Sequence, residues 1–136
     1  MEISEALSHL RKNHRAVLAT RRRDGDPQLS PVVEAVGEDE RILISTRASA
    51  IKTRNALRNP RVSLCSFRDA FFGEWIQVDG FAEIIELPEA MQLLRFTYRQ
   101  ISGEHPDWVE FEQAMFDQRR VIIAITPVRA GPDVSG

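Results

Sequence analysis

The sequence is poor in several residue types. Its 136 residues include one cysteine (Cys65), one tyrosine (Tyr98) and two lysines, Lys12 and Lys52. A lone cysteine excludes an intrachain disulfide and any Cys-x-x-Cys redox or zinc motif. The seven glycines are never two or four apart, and none precedes a lysine. That excludes the dinucleotide fingerprint, the P-loop and the nucleophile elbow. His9, His14 and His105 match no zinc-binding spacing, so no metal is expected. The longest apolar run, Val121 to Ile125, is too short to cross a bilayer. The first ten residues are acidic and amphipathic, unlike a secretory leader, so a cytoplasmic location is expected. Eighteen basic and 20 acidic residues give a net charge of −2, which argues against a dedicated nucleic-acid binder.

What remains is an ordinary globular composition, 43% hydrophobic and 28% charged, at a length suited to one domain. A helix capped by Ser4 is expected to run to about Asn13. Strands follow at 16–20, 28–36 and 41–46, separated by Asp24-Gly25 and by the polar turn 37–40. Ser49 is expected to cap a short helix that ends at Asn59-Pro60, because proline disfavours helix in the residue before it. Strands are expected at 61–67 and 75–86, with Asp79-Gly80 in the latter a turn or a bulge. Pro88 is expected to open a helix carrying Met91, Leu94, Tyr98 and Ile101, closed by Gly103. Asp107 and Glu110 have capping-box spacing before a further helix. Residues 120–126 form a last strand, and 130–136 read as a frayed tail. The fold class is therefore mainly β with flanking helices. The 1–136 chain reads as a single domain, a six-stranded antiparallel barrel whose strand edges need closure or a partner.

The densest set of anion-binding groups lies between residues 45 and 55. Ser45, Thr46, Ser49 and Thr53 offer hydroxyls, and Arg47, Lys52 and Arg54 offer cations. Lys52 falls in the first turn of a helix, where a cation opposes the helix dipole unless an anion sits between them. The competing reading is a solvated helix face with a serine cap. Ser49 and Lys52 also fit Ser-x-x-Lys, but the companion motifs of that acylating chemistry are absent.

Five segments together carry a resemblance: Ala16-Val-Leu-Ala-Thr20, Asp24-Gly-Asp-Pro-Gln-Leu-Ser30, Ile51-Lys-Thr-Arg-Asn55, Asn59-Pro-Arg-Val62 and Ser102-Gly-Glu-His-Pro-Asp-Trp108. They resemble the pyridoxamine-phosphate-oxidase-like split-barrel family, and within it the actinobacterial deazaflavin (F420)-dependent oxidoreductases. The resemblance spans residues 5 to 128. It implies a split β-barrel homodimer with cofactor sites at the subunit interface. It implies a cofactor phosphate on Lys52, with Ser45, Thr46 and Asn55 nearby. Ser30, Pro31 and Val32 would run along the cofactor ring, and Trp75 would reach it from the other subunit; a strand-edge core aromatic is the alternative for Trp75. The family's relatives often carry an arginine two residues before the phosphate lysine. Ala50 stands there in this chain, and Arg47 is the expected substitute.

The implied activity is hydride transfer from reduced F420 to a small apolar conjugated acceptor such as a quinone, enone or tetrapyrrole. FMN is the alternative cofactor, and a non-catalytic cofactor or haem carrier is the third reading. Vitamin oxidation is not expected, because the C-terminal phosphate grip of true pyridoxamine phosphate oxidases has no counterpart after Arg129. The sequence names no catalytic side chain, and solvent is expected to supply the proton. Glu34 is expected to be a surface carboxylate, with proton donation beside the ring-lining strand as its alternative, and Arg21-Arg22-Arg23 a solvated hairpin tip, with attraction of the deazaflavin's polyglutamate tail as its alternative. Neither nucleic acid nor membrane insertion is expected.

Overall fold

A computed structural model of the chain describes residues 1–135. It contains one antiparallel sheet of seven strands, in the order β2-β1-β5-β6-β7-β4-β3. The strands are β1 (Arg15–Arg21), β2 (Pro27–Val33), β3 (Ala35–Val36), β4 (Ile42–Arg47), β5 (Arg61–Phe67), β6 (Glu74–Ile85) and β7 (Arg120–Ser135). The helices are α1 (Ile3–Lys12), α2 (Ile51–Arg58), α3 (Met91–Ser102) and α4 (Trp108–Asp117). None is long and apolar enough to cross a membrane among the described residues.

The two edge strands are β2 and β3, and only Glu34 lies between them in the chain. A single-residue link between opposite edges forces the sheet to curl into a barrel. The backbone at this seam is fixed twice. Glu34 N–H donates to the His14 carbonyl at 2.8 Å, and His14 Nδ1 lies 2.8 Å from the Glu34 carbonyl oxygen.

Side chains alternate across each strand, so the curled sheet has an inner and an outer face. The inner face carries the main core. Leu18, Ile42, Ile44, Leu64, Ile76, Val78, Ile123 and Ile125 pack there, and α1 adds Leu7 and Leu10. The outer face is covered over one part only. There Leu43, Ile122 and Ala124 of β4 and β7 pack against Leu94 of α3 and Phe111 of α4. Over β2, β1, β5 and β6 the outer face bears Leu29 (62% exposed) and Phe81 (48% exposed).

Five local expectations differ from the structure. Glu2, not Ser4, occupies the N-cap of α1, and Ala50, not Ser49, that of α2; neither cap uses a side-chain hydrogen bond. The Thr53 hydroxyl fixes the start of α2 instead, donating to the Arg47 carbonyl at 2.7 Å. Pro88 sits in a turn, and α3 begins at Met91. The strand expected at 28–36 is interrupted at Glu34, where the barrel closes. The expected tail is paired: β7 continues past Thr126 and reaches Ser135 opposite Glu74, while Gly136 lies outside the described residues.

Other signals hold. Asn59-Pro60 ends α2, Gly103 closes α3 with φ of 82°, and the Asp107 side chain accepts from Glu110 N–H. Asp79-Gly80 is an irregularity within β6, where the register with β7 shifts. A Cβ at Gly80 would stand 2.4 Å from the Thr126 carbonyl oxygen, so only glycine lets the two strands approach here.

Candidate functional site

The sheet register builds a cation cluster that the sequence shows only in part. In the β4–β7 ladder Arg47 stands directly opposite Arg120, and Ser45 opposite Ile122. Leu43, Ser45 and Arg47 share the outer face by alternation. The chain enters β7 through Arg119, a non-glycine residue at φ 52°. The Arg119 carbonyl accepts Ala48 N–H at 2.9 Å, which ties the α4–β7 turn to the β4–α2 turn. Arg120 is therefore held beside the start of α2, where Lys52 is half-buried.

The electrostatics of these three cations are unbalanced. Burial, and then the Arg120 charge, hold the Lys52 ammonium below its ordinary value. Burial, and then the Arg47 charge, do the same to Arg120. Among the described residues none of the three pairs with a carboxylate. Arg120 is positioned by a neutral group: its Nε donates to Gln118 Oε1 at 2.9 Å. Like charges gathered and partly desolvated without an acid are costly, and an anion placed among them removes the cost.

A cavity of about 390 Å³ opens beside this cluster, between α3, α4 and the outer face of β4 and β7. Ser45 and Arg120 form its sheet side, with Val33 at the end of β2. Its helical walls are mainly apolar and include Leu94, Ile101, Phe111 and Met115. Thr97 also lines it, and the Thr97 hydroxyl is buried without a hydrogen-bond partner among the described residues. The α3–α4 unit is stiffened by an aromatic group. Tyr98, Trp108 and Phe111 lie with ring centroids 5.2 to 5.9 Å apart, and Arg95 and Arg99 stand over the Trp108 ring at 5.0 and 4.5 Å. Trp108 thus ties α4 to α3, and Asp107 caps the start of α4.

The nine residues singled out in the sequence fall into four groups. Ser45, Arg47 and Lys52 gather at the cluster, with Arg120 as an additional member. Thr46, Ser30 and Val32 turn to the inner face: Thr46 is buried, Ser30 bonds to Gln28, and Val32 packs on the core. Asn55 is buried and occupied, donating to Thr20 Oγ1 at 3.1 Å and accepting from Arg58 at 2.7 Å. Pro31 and Trp75 both lie on the outer face, on β2 and β6, but β1 and β5 run between those strands. One chain therefore does not bring Pro31 and Trp75 side by side. β2 is the last strand at its edge, so backbone groups of 30–32 are free of any further strand partner.

Glu34 is not a surface carboxylate. It is fully buried, both side-chain oxygens lack partners among the described residues, and burial pushes its pKa up to about 9. Alternation from exposed Val33 turns its side chain inward at the seam. Cys65 lies on the outer face of β5, half-buried, and burial raises its thiol. The Arg21-Arg22-Arg23 tip is exposed as expected. Arg120 escaped sequence reasoning because only the strand register reveals its neighbours.

The geometry agrees with the chain's relatives. A crystal structure of a conserved hypothetical protein from Mycobacterium tuberculosis superposes with a TM-score of 0.79 at 26% identity, covering 99% of this chain and 85% of that one. A protein described as an F420 reductase superposes with a TM-score of 0.71 at 24% identity, over 91% and 94% of the two chains. A FAD-binding protein from Mesorhizobium loti gives 0.64 at 17% identity, over 96% and 90%. The family model described as pyridoxamine 5'-phosphate oxidase matches residues 3–131. With a curled antiparallel sheet of the same shape and a family match over nearly its whole length, the chain belongs to the pyridoxamine 5'-phosphate oxidase family of oxidoreductases.

Proposed function

We propose that this protein is an oxidoreductase that carries a hydride from reduced deazaflavin coenzyme F420 to an apolar conjugated acceptor. The observation that carries this reading is the cluster of Arg47, Lys52 and Arg120, three cations without an acid beside the start of a helix. Such a site fits a phosphate: it supplies charge and free N–H groups, and it lacks a competing carboxylate. The similarity to an F420 reductase supports the deazaflavin, and the similarity to a FAD-binding protein keeps FMN as the second reading. When bound, F420 supplies the hydride from its central ring carbon.

The chain's own residues hold and orient. Lys52 and Arg47 take the phosphate, with the Ser45 hydroxyl near it. Arg47 takes the electrostatic place left by Ala50, and Arg120 adds a third cation beside it. The free edge of β2 at Ser30, Pro31 and Val32 offers backbone groups to the ring. The α3–α4 walls exclude water from the neighbouring cavity. No His, Glu or Cys of the cluster stands ready as a proton donor, so solvent provides the proton. Thr46 and Asn55 support the site through the β4–α2 and α2–β1 packing.

The active unit in this proposal is a homodimer. The uncovered outer face of β2, β1, β5 and β6 exposes Leu29 and Phe81, and a second copy would cover it. That arrangement would bring Trp75 of one subunit toward the ring held by the other. The test is single-turnover mixing of the purified protein with reduced F420 and a panel of quinones, enones and tetrapyrroles. Oxidation of F420 that needs both protein and acceptor supports the reading. Activity with reduced FMN alone selects the flavin, and no oxidation of either refutes both.

A further inference from the structure

The cavity between α3 and α4 has a recognition chemistry of its own. Its volume of about 390 Å³ is in the range of small-molecule sites. Leu94, Tyr98, Ile101, Phe111 and Met115 give it an apolar wall with aromatic faces, suited to a flat conjugated body. Arg120 stands at its sheet side, half-buried and fixed by Gln118; Glu110 also lines the cavity but forms no ion pair with Arg120 among the described residues.

Charge counting assigns Arg120 a second task. Arg47, Lys52 and Arg120 carry three positive charges, whereas a phosphate monoester carries about −1.5 to −2 at pH 7 and a diester less. At least one cationic charge stays unmatched when the phosphate is in place. Arg120 is the member of the cluster that also borders the apolar cavity.

We propose that this cavity binds a flat conjugated carboxylate, with the carboxylate on Arg120 and the apolar body between α3 and α4. The acceptor of the proposed reaction is then an anion and not a neutral molecule, which rests on the cofactor reading above. In that reaction the acceptor's conjugated double bond gains a hydride at one carbon and a solvent proton at the other. The two electrons come from reduced F420.

The test uses the purified full chain without added cofactor and two probes of one shape, 2-naphthoate and 2-methylnaphthalene. Methyl NMR reads binding at Leu94, Ile101 and Met115. The expected result is saturable movement of these methyls by 2-naphthoate. Arg120→Met weakens 2-naphthoate about tenfold or more, the range of a lost charge-assisted contact, and leaves 2-methylnaphthalene within about twofold. Ala114→Trp fills the cavity and abolishes both; should that variant not fold, the methyl map of the unmodified protein still decides. Movement elsewhere, no movement, or an equal effect of Arg120→Met on both probes overturns the proposal. F420 and FMN titrations run in parallel separate the two claims. Naphthoate binding without cofactor binding removes the redox role and keeps the site, and the converse removes the site alone.

Discussion

Two regions of the outer face carry arginines on neighbouring strands, and they treat their charge in opposite ways. Around Asp79 a cavity of about 360 Å³ is lined by Arg21, Arg61 and Arg129. Asp79 accepts from Ser63 at 2.6 Å, from Gln77 at 2.9 Å and from Arg129 at 2.6 and 2.8 Å. Burial alone would raise the Asp79 carboxyl, but these hydrogen bonds and the Arg129 charge outweigh it and hold the group below its ordinary value. At the β4–β7–α2 junction, Arg47, Lys52 and Arg120 meet no such acid. In the first region Asp79 and Arg129 satisfy one another, while Arg21 and Arg61 pair with no carboxylate among the described residues. In the second none of the three cations has an acid among the described residues, and in the proposed function an anion from outside supplies it; the internal Asp79–Arg129 pair is what the two regions do not share.

Glu34 is a third case, a carboxyl with neither partner nor solvent, and it sets the scale of the comparison. The largest expected effect, however, comes from the backbone that presents Asp79. Gly80→Ala drives a Cβ toward the Thr126 carbonyl at 2.4 Å, and about 3 kcal/mol of stability should be lost in urea unfolding. A loss below about 1 kcal/mol would mean that the bulge yields and that Asp79 is not rigidly placed.

The Glu34 effect should be similar in size but dependent on pH. The folded state keeps its proton up to about pH 9, whereas the unfolded state releases it near 4.5. Between those values the unfolded chain binds fewer protons, so stability falls as pH rises. At 1.36 kcal/mol per unit, this group alone removes about 3 kcal/mol by pH 7. Unfolding across pH 5 to 8 should show that slope in the native chain and lose it in Glu34→Gln. Parallel curves would mean that Glu34 finds a partner or water.

The smallest effect is expected at the satisfied pair. Arg129 is 75% exposed on its side chain, so Arg129→Ala should cost less than about 1 kcal/mol. The same variant should raise the Asp79 pKa in carboxylate NMR titration. Asp79→Asn should turn this cavity into an unpaired arginine site that takes up phosphate weakly at low salt. If it binds phosphate as well as the native Lys52 cluster does, unpaired charge alone fails to distinguish a site.

The sequence revealed what depends on local chemistry. Asn59-Pro60, Gly103 and the Asp107 cap each act within a few residues, and each ended or began a helix where expected. The Lys52 segment was legible for the same reason, since hydroxyls and cations sit together along the chain. Arg120 was not, because its meeting with Arg47 depends on the register of strands more than 70 residues apart. Glu34 was hidden by topology: nothing local says that one residue joins opposite edges of a sheet. The continuation of β7 past Pro127 likewise comes from pairing with β6, which overrides the turn chemistry of its glycine and prolines.

The central claim is that the Lys52 cluster exists for an anionic cofactor. Its most direct test is a titration of F420 and FMN against the native protein, Lys52→Ala and Lys52→Arg under identical salt. The account expects one cofactor to bind the native chain, Lys52→Ala to lose about tenfold to a hundredfold, and Lys52→Arg to retain most of the affinity. Equal binding by the native and Lys52→Ala proteins, or no binding of either cofactor, would contradict it.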